Sequence, residues 1–376
     1  MIILMSKFKI MVLFLLTAWI GQSCSQEEVD QKVLLPSNLN VELEQTESGR
    51  VTVSFQAENV NFFRVDFGVG NDGPQRVTGN QASFTYRDPG EYVITVQAHT
   101  TEEDFISESV SVTIADQIAG GLIPEEGFIS PEEYSGYSLV WRDEFEGDAL
   151  SSDWVHELGD GCPNLCGWGN NESQFYRREN TTVRDGYLII EAKEERFGGK
   201  EYTSSRIKTQ DQQSFTYGRI DIRALLPKGQ GIWPALWMLG DNITEVSWPA
   251  CGEIDIMEMI GGSQSGRDDT VHGTVHWDNN GSYANFGGSK TLTDGIFNDK
   301  FYVFSIIWDA EKIVWLLDNV PYHEIDIRPQ SLDEFRRPFF FLFNVAVGGN
   351  WPGYPNASTR FPQRMVVDYV RVFQAD

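Results

Sequence analysis

Basic residues are in short supply in this 376-residue chain: 29 Lys and Arg stand against 55 Asp and Glu, a formal net charge of −26. A field of that sign repels polyanions, so nucleic acid is excluded as an expected partner and a heavily sulfated glycan is disfavoured. Cysteine is scarce as well, and four residues cannot staple a disulfide-dense scaffold. Beyond the first residues no apolar run is long enough to span a bilayer. Tryptophan is missing from residues 25–140, although the chain holds 11: Trp19 precedes that gap and the others begin at Trp141. The break divides the mature chain into two units with different tasks. With 41% hydrophobic and 22% charged residues, both units have the composition of globular protein.

What is present begins with an export signal over residues 1–24. Lys7 and Lys9 form a positive start, and Ile10 to Ile20 is an apolar stretch too short for a comfortable membrane helix. Gly21-Gln22-Ser23-Cys24 resembles a bacterial lipoprotein signal, in which Cys24 becomes the lipidated N-terminus; ordinary secretion is the alternative. The acidic start Ser25-Gln26-Glu27-Glu28-Val29-Asp30 resembles the surface-export signal of Bacteroidetes lipoproteins, or is a solvated linker. The expected location is the outer-membrane surface, with a lipid anchor as the sole membrane attachment.

After a linker at 25–36, residues 37–115 show period-two alternation in Val51-Thr52-Val53-Ser54-Phe55 and in Tyr92-Val93-Ile94-Thr95-Val96, with turns at Asn71-Asp72-Gly73 and Asp88-Pro89-Gly90. Short strands at this density predict a small immunoglobulin-like β-sandwich. The stretches Val65-Asp66-Phe67-Gly68 and Phe84 to Tyr92 resemble the PKD family of such modules; without a cluster of exposed-looking aromatics the unit reads as a spacer, with a glycan-binding module as the alternative. Residues 116–136, with Gly120-Gly121 and Pro124-Glu125-Glu126-Gly127, read as a second linker. Residues 137–374 alternate almost throughout without a long amphipathic helix, which predicts an all-β fold, a large antiparallel jelly-roll sandwich.

The most informative segment is Gly252-Glu253-Ile254-Asp255-Ile256-Met257-Glu258-Met259-Ile260. Acids seldom cluster in an apolar strand, because burying charge is expensive. Alternation puts Glu253 and Asp255 on one face, and a β-bulge near Met257 returns Glu258 to it. The two glutamates then sit roughly 13 Å apart at Cα. Their carboxyl groups can converge to about 5–5.5 Å, the separation for retaining glycoside hydrolysis. Crowded carboxylates cannot all ionise, so at least one is held protonated near neutral pH, as a general acid must be. A Ca²⁺ site is the competing reading of three acids, countered by the dry Ile and Met flanks.

Glu253 to Glu258 match the E-x-D-x-x-E signature of glycoside hydrolase family 16 in its bulged form. Further blocks extend the resemblance to laminarinases of that family: Leu139-Val140-Trp141-Arg142-Asp143-Glu144-Phe145, Gly167-Trp168-Gly169-Asn170-Asn171-Glu172, Gly231 to Met238, Val271 to Trp277 and Phe343 to Gly353. The resemblance implies a curved jelly roll with a substrate cleft on one sheet, Glu253 as nucleophile, Glu258 as acid/base and Asp255 as helper. It implies β-glucan as the partner, a monomer, and no catalytic cofactor. It also implies a structural Ca²⁺ at Glu144, Gly186 and Asp368.

Pyranose rings have apolar faces and hydroxyl rims, so they need an aromatic plate with polar groups at its edge. Trp233 and Trp237, four apart in a strand, share a face. Asn171, Arg206, His276 and Asn344 match polar cleft positions of the family, and Trp351, in a Gly/Pro-rich loop, bounds the cleft. Cys162 and Cys166 can bridge outside the cytoplasm, and Cys251 reads as a buried thiol. The leading expectation is an endo-β-1,3-glucanase. Mixed-linkage β-glucan or agarose is the alternative substrate, and a surface glycan-binding protein is the non-enzymatic rival.

Overall fold

The computed structural model describes residues 33–45, 50–69, 73–86, 90–114 and 123–376. The export signal, Cys24 and the acidic stretch behind it lie outside those residues, as do most of the two turns expected near Asp72 and Pro89. The chain divides into two compact units between Leu122 and Ile123. Among the described residues no helix is long and apolar enough to cross a membrane.

The first unit is a small β-sandwich. Strands Ser37–Gln45, Arg50–Glu58 and Gln81–Thr85 form one sheet; Gln75–Val77, Phe62–Asp66, Gly90–His99 and Phe105–Ile114 form the other. Strict alternation sends Val51, Val53 and Phe55 from the first sheet, and Val65, Ile94 and Val96 from the second, into a shared core. The Tyr86 hydroxyl, buried there, donates to the Phe67 carbonyl at 2.8 Å, which meets the requirement that a buried phenol find a partner.

The second unit is a larger sandwich of a ten-stranded and a seven-stranded sheet. The centre of the first is the pairing of Gly218–Leu225 with Gln363–Ala375. The second runs, in order, Tyr283–Thr291, Thr270–Asp278, Glu253–Glu258, Ile232–Gly240, Phe339–Val347, Arg206–Lys208 and Val155–His156. Between them lies one apolar core, in which Ile220, Ile222, Val370 and Val372 meet Leu236, Met238, Phe341 and Phe343. Each fully buried large side chain contributes roughly 1.5–3 kcal/mol relative to exposure. Trp308 and Trp315 also bury an indole N–H, and each finds a carbonyl: Phe335 at 2.9 Å and Asp255 at 2.8 Å.

The stretch expected as a linker at 116–136 is corrected in its second half. From Ile123 onward the chain lies along the ten-stranded sheet. Arg223 donates to the carbonyls of Phe128 (2.8 Å) and Glu125 (3.2 Å), Ser130 N–H meets the Tyr369 hydroxyl at 2.8 Å, and Tyr134 donates to Asp221 at 2.7 Å. Gly127 bridges Phe301, where a Cβ would lie 2.0 Å from the Phe301 carbonyl oxygen. Gly- and Pro-containing sequence without periodicity does not reveal this, because the partners lie far along the chain.

Candidate active site

The face of the seven-stranded sheet turned away from the core carries the site. In strand Ile232–Gly240, Leu236 and Met238 enter the core while Trp233, Ala235 and Trp237 occupy the other face. In Glu253–Glu258 the register against that strand jumps from Asp255↔Trp237 to Met257↔Leu236. Ile256 is therefore the extra residue, and the bulge lies beside Met257, where it is expected. Ile254, Ile256 and Met257 all sink into the core, and Glu258 emerges beside Ala235 and His272. The bulge brings the three acids to one face.

Each acid has a defined partner. Glu253 Oε2 accepts the Trp248 indole N–H at 2.9 Å, and Glu258 Oε1 accepts that of Trp233 at 3.0 Å. Asp255 Oδ2 lies 3.0 Å from His276 Nε2, which is also 3.6 Å from Glu253 Oε1. His276 Nδ1 in turn pairs with the Tyr283 hydroxyl at 2.8 Å. Burial pushes the Glu253 carboxyl well above the usual range, reinforced by the neighbouring Asp255 charge. Burial likewise raises Asp255 to about 8, and burial with the Asp255 charge raises Glu258 to about 8. These values belong to a coupled cluster that holds protons near neutrality. Glu253, Asp255 and His276 place one ligand atom each within 4.8 Å, so the same trio could also hold a cation.

The other expected residues divide. Trp233 sits edge-on to Trp351 with centroids 5.6 Å apart, and Trp351 is 41% exposed, so both belong to an aromatic rim next to Glu258. Trp237 lies further along the same face. Arg206 sits on that sheet too, with its guanidinium 4.8 Å from the rings of both Trp168 and Trp237 and its Nε 2.7 Å from Glu157. Asn344 is buried: its Oδ1 accepts the Trp237 N–H at 2.8 Å and its Nδ2 donates to Tyr176 at 3.2 Å. Asn344 thus holds the plate rather than presenting a free amide. Asn171 is exposed and donates to Asn350 at 2.8 Å.

Sequence reasoning missed Trp248, Tyr283 and His272. Trp248 lies outside any strand, so alternation says nothing of it. Tyr283 and His272 become partners only through cross-strand register. Cys162 and Cys166 are bridged and Cys251 is a buried thiol, pushed by its apolar surroundings to about 12. Around the implied calcium position, the Glu144 carboxylate is clamped by Arg371 at 2.7 and 2.9 Å, and Asp368 Oδ2 by Arg223 at 2.6 Å. What remains there is the second Asp368 oxygen and backbone carbonyls, the one at Gly186 lying next to the Asp368 strand.

Comparison with known proteins bears on this geometry. Residues 169–371 match the family model described as glycosyl hydrolases family 16. The catalytic domain of an endo-1,3-beta-glucanase (laminarinase) from Thermotoga petrophila RKU-1 is 44% identical with a TM-score of 0.59, covering 64% of this chain and 98% of that one. A beta-glucanase from Rhodothermus marinus is 42% identical over 258 residues, 63% of this chain and 85% of the relative. The clotting factor G alpha subunit of Tachypleus tridentatus is 41% identical over 241 residues, 63% of this chain but only 34% of that longer protein.

Proposed function

The chain belongs to glycosyl hydrolase family 16, and from that premise we propose that the acid face of its seven-stranded sheet cleaves β-1,3-glucan by double displacement. It is an O-glycoside hydrolase, a retaining endo-β-1,3-glucanase acting on laminarin-type glucans. The observation that carries the residue assignment is the shared face: Glu253 and Glu258 emerge beside Trp233 and Trp237, and each glutamate is held by an indole N–H.

Glu253 attacks the anomeric carbon while Glu258 protonates the departing glycosidic oxygen. The products of that step are a glycosyl ester on Glu253 and a shortened glucan. Glu258, now ionised, takes a proton from water, whose oxygen displaces Glu253 and restores the starting configuration. Asp255, two residues along the strand from Glu253 and on the same face, acts as its helper as Glu253 leaves. His276 fixes Asp255 in that position. Trp233 and Trp237 offer their faces to the sugar ring, and no cofactor takes part. A structural Ca²⁺ would be held by the free Asp368 oxygen with the carbonyls at Glu144 and Gly186, away from the reacting atoms.

The remaining parts of the reading rest on sequence. Residues 1–30 support an exported lipoprotein anchored through Cys24 at the cell surface, and the first unit supports a PKD-like spacer. The protein acts as a monomer. Glu253→Gln should abolish turnover while oligosaccharide binding survives, and NMR of the first product should show retention; normal turnover or an inverted product would overturn the assignment. Release of sugar from laminarin, lichenan and agarose decides between β-1,3-glucan and the alternative substrates. A glycan-binding protein without activity would release nothing from any of them.

A further inference from the structure

A buried carboxylate outside the reacting trio stands at the end of a chain of hydrogen bonds. Glu172 is 6% exposed. Its Oε2 accepts from Gln174 at 2.6 Å and from the Tyr176 hydroxyl at 3.2 Å, and its Oε1 accepts from Asn170 at 3.2 Å. Tyr176, wholly buried, accepts from Asn344 Nδ2 at 3.2 Å, and Asn344 Oδ1 accepts from the Trp237 indole at 2.8 Å.

The polarity of this chain is dictated by chemistry. An indole N–H can only donate, so it must meet the oxygen end of the Asn344 amide. The amide's NH₂ end then faces Tyr176 and occupies that hydroxyl as an acceptor. The phenol's single proton has to go onward, and the carboxylate of Glu172 receives it. Three donors converge on two oxygens, so no neutral side chain of the same size can serve all of them. The other branches from Glu172 reach the rim. Asn170 accepts Asn350 N–H at its carbonyl at 2.9 Å, Asn350 receives the Asn171 side chain, and Gln174 Oε1 accepts Val347 N–H at 2.8 Å. The Glu172 N–H is bonded to Gly167 O at 3.1 Å, which ties down the loop bearing Trp168.

We propose that Glu172 is a positioning residue for glucan binding: by terminating this one-way donor chain it sets the plane of Trp237 and the rim loops, and so the fit of the sugar ring that lies against them. The inference rests on the functional reading above. It separates from that reading because the chain ends at the aromatic plate and does not touch Glu253 or Glu258.

The test compares wild type with Glu172→Gln, Tyr176→Phe and the double variant in steady-state hydrolysis of laminarin. Circular dichroism and melting verify folding; Tyr176→Phe, which loses only one oxygen, secures the test if Glu172→Gln does not fold. Each single variant should raise KM about five- to tenfold, the size of one ordinary lost hydrogen bond, with kcat within about twofold. The double variant should be no worse than the poorer single, because both cut the same chain. KM unchanged in a folded variant, a loss in kcat at constant KM, or additive losses would each overturn the role of Glu172. Wild type inactive on every β-glucan would instead overturn the functional reading.

Discussion

Trp315→Phe should loosen the acid cluster from beneath. Trp315 is wholly buried, belongs to the ten-stranded sheet, and donates its indole N–H across the core to the Asp255 carbonyl at 2.8 Å. Asp255 directly precedes the extra residue Ile256, where a bulge disrupts the ladder and leaves backbone groups in want of partners. Phenylalanine keeps most of the ring but cannot donate. The stranded carbonyl costs about 1–3 kcal/mol, and the smaller ring leaves a void that adds about 1 kcal/mol. For a unit of this size that is a fall in Tm of roughly 4–16 °C, at about 2–4 °C per kcal/mol. Because the lost bond anchors the backbone between the two glutamates, kcat should fall by about tenfold or more with little change in KM. Calorimetry of the second unit's transition and laminarin kinetics supply the readouts. A Tm within 1–2 °C of wild type together with an unaltered kcat would refute the idea that this indole holds the bulge.

Other outcomes follow from the same geometry. Glu258 must be protonated to start the reaction, and burial with the Asp255 charge lifts it to about 8; kcat/KM should therefore decline as pH rises through about 8, and a profile flat to pH 10 would contradict it. The stability sign is the reverse of that for an ion-paired acid. With folded-state values raised to about 8, the native state binds protons more tightly than the unfolded chain, so stability is fullest below about 4.5 and is lost as pH rises toward 8. Glu258→Gln should accordingly melt above wild type at pH 8, with the gap closing near pH 4.5; equal Tm values at pH 8 would show that burial of Glu258 carries no such cost. Trp248→Phe removes the N–H that favours ionised Glu253. The acid limb of kcat/KM should move to higher pH, and an unmoved limb would leave Trp248 no part in tuning the nucleophile.

Much of this was legible from residue order alone. The acids stand out because Ile and Met flank them, and period two with one extra residue puts all three on one face. The bulge falls beside Met257 as expected; that Ile256 is the unpaired residue shows only in the pairing with Leu236 and Trp237, since Ile256 and Met257 are equally apolar. Trp233 and Trp237 were legible for the same reason as the acids. The roles of Arg206 and Asn344 were not: one is tied to Glu157 and lies against two indoles, the other bridges Trp237 and Tyr176. Those partners come from other strands and loops, and a linear pattern does not encode them. Loop residues such as Trp248 carry no periodicity to betray where they point.

The peptide from Ile123 to Tyr134 sets a lower bound on any shortened enzyme. A fragment opened at Tyr137, where alternation begins, would strip Arg223 of two carbonyl acceptors and Asp221 of its phenol, and would uncover the ring of Tyr134 on which the Arg219 guanidinium rests at 4.0 Å. Three charged side chains on the sheet opposite the cleft would then fall back on their ion pairs, Arg219 with Asp221 and Arg223 with Asp368. Trimming by sequence pattern would thus erode the foundation of a fold whose working surface it never touched.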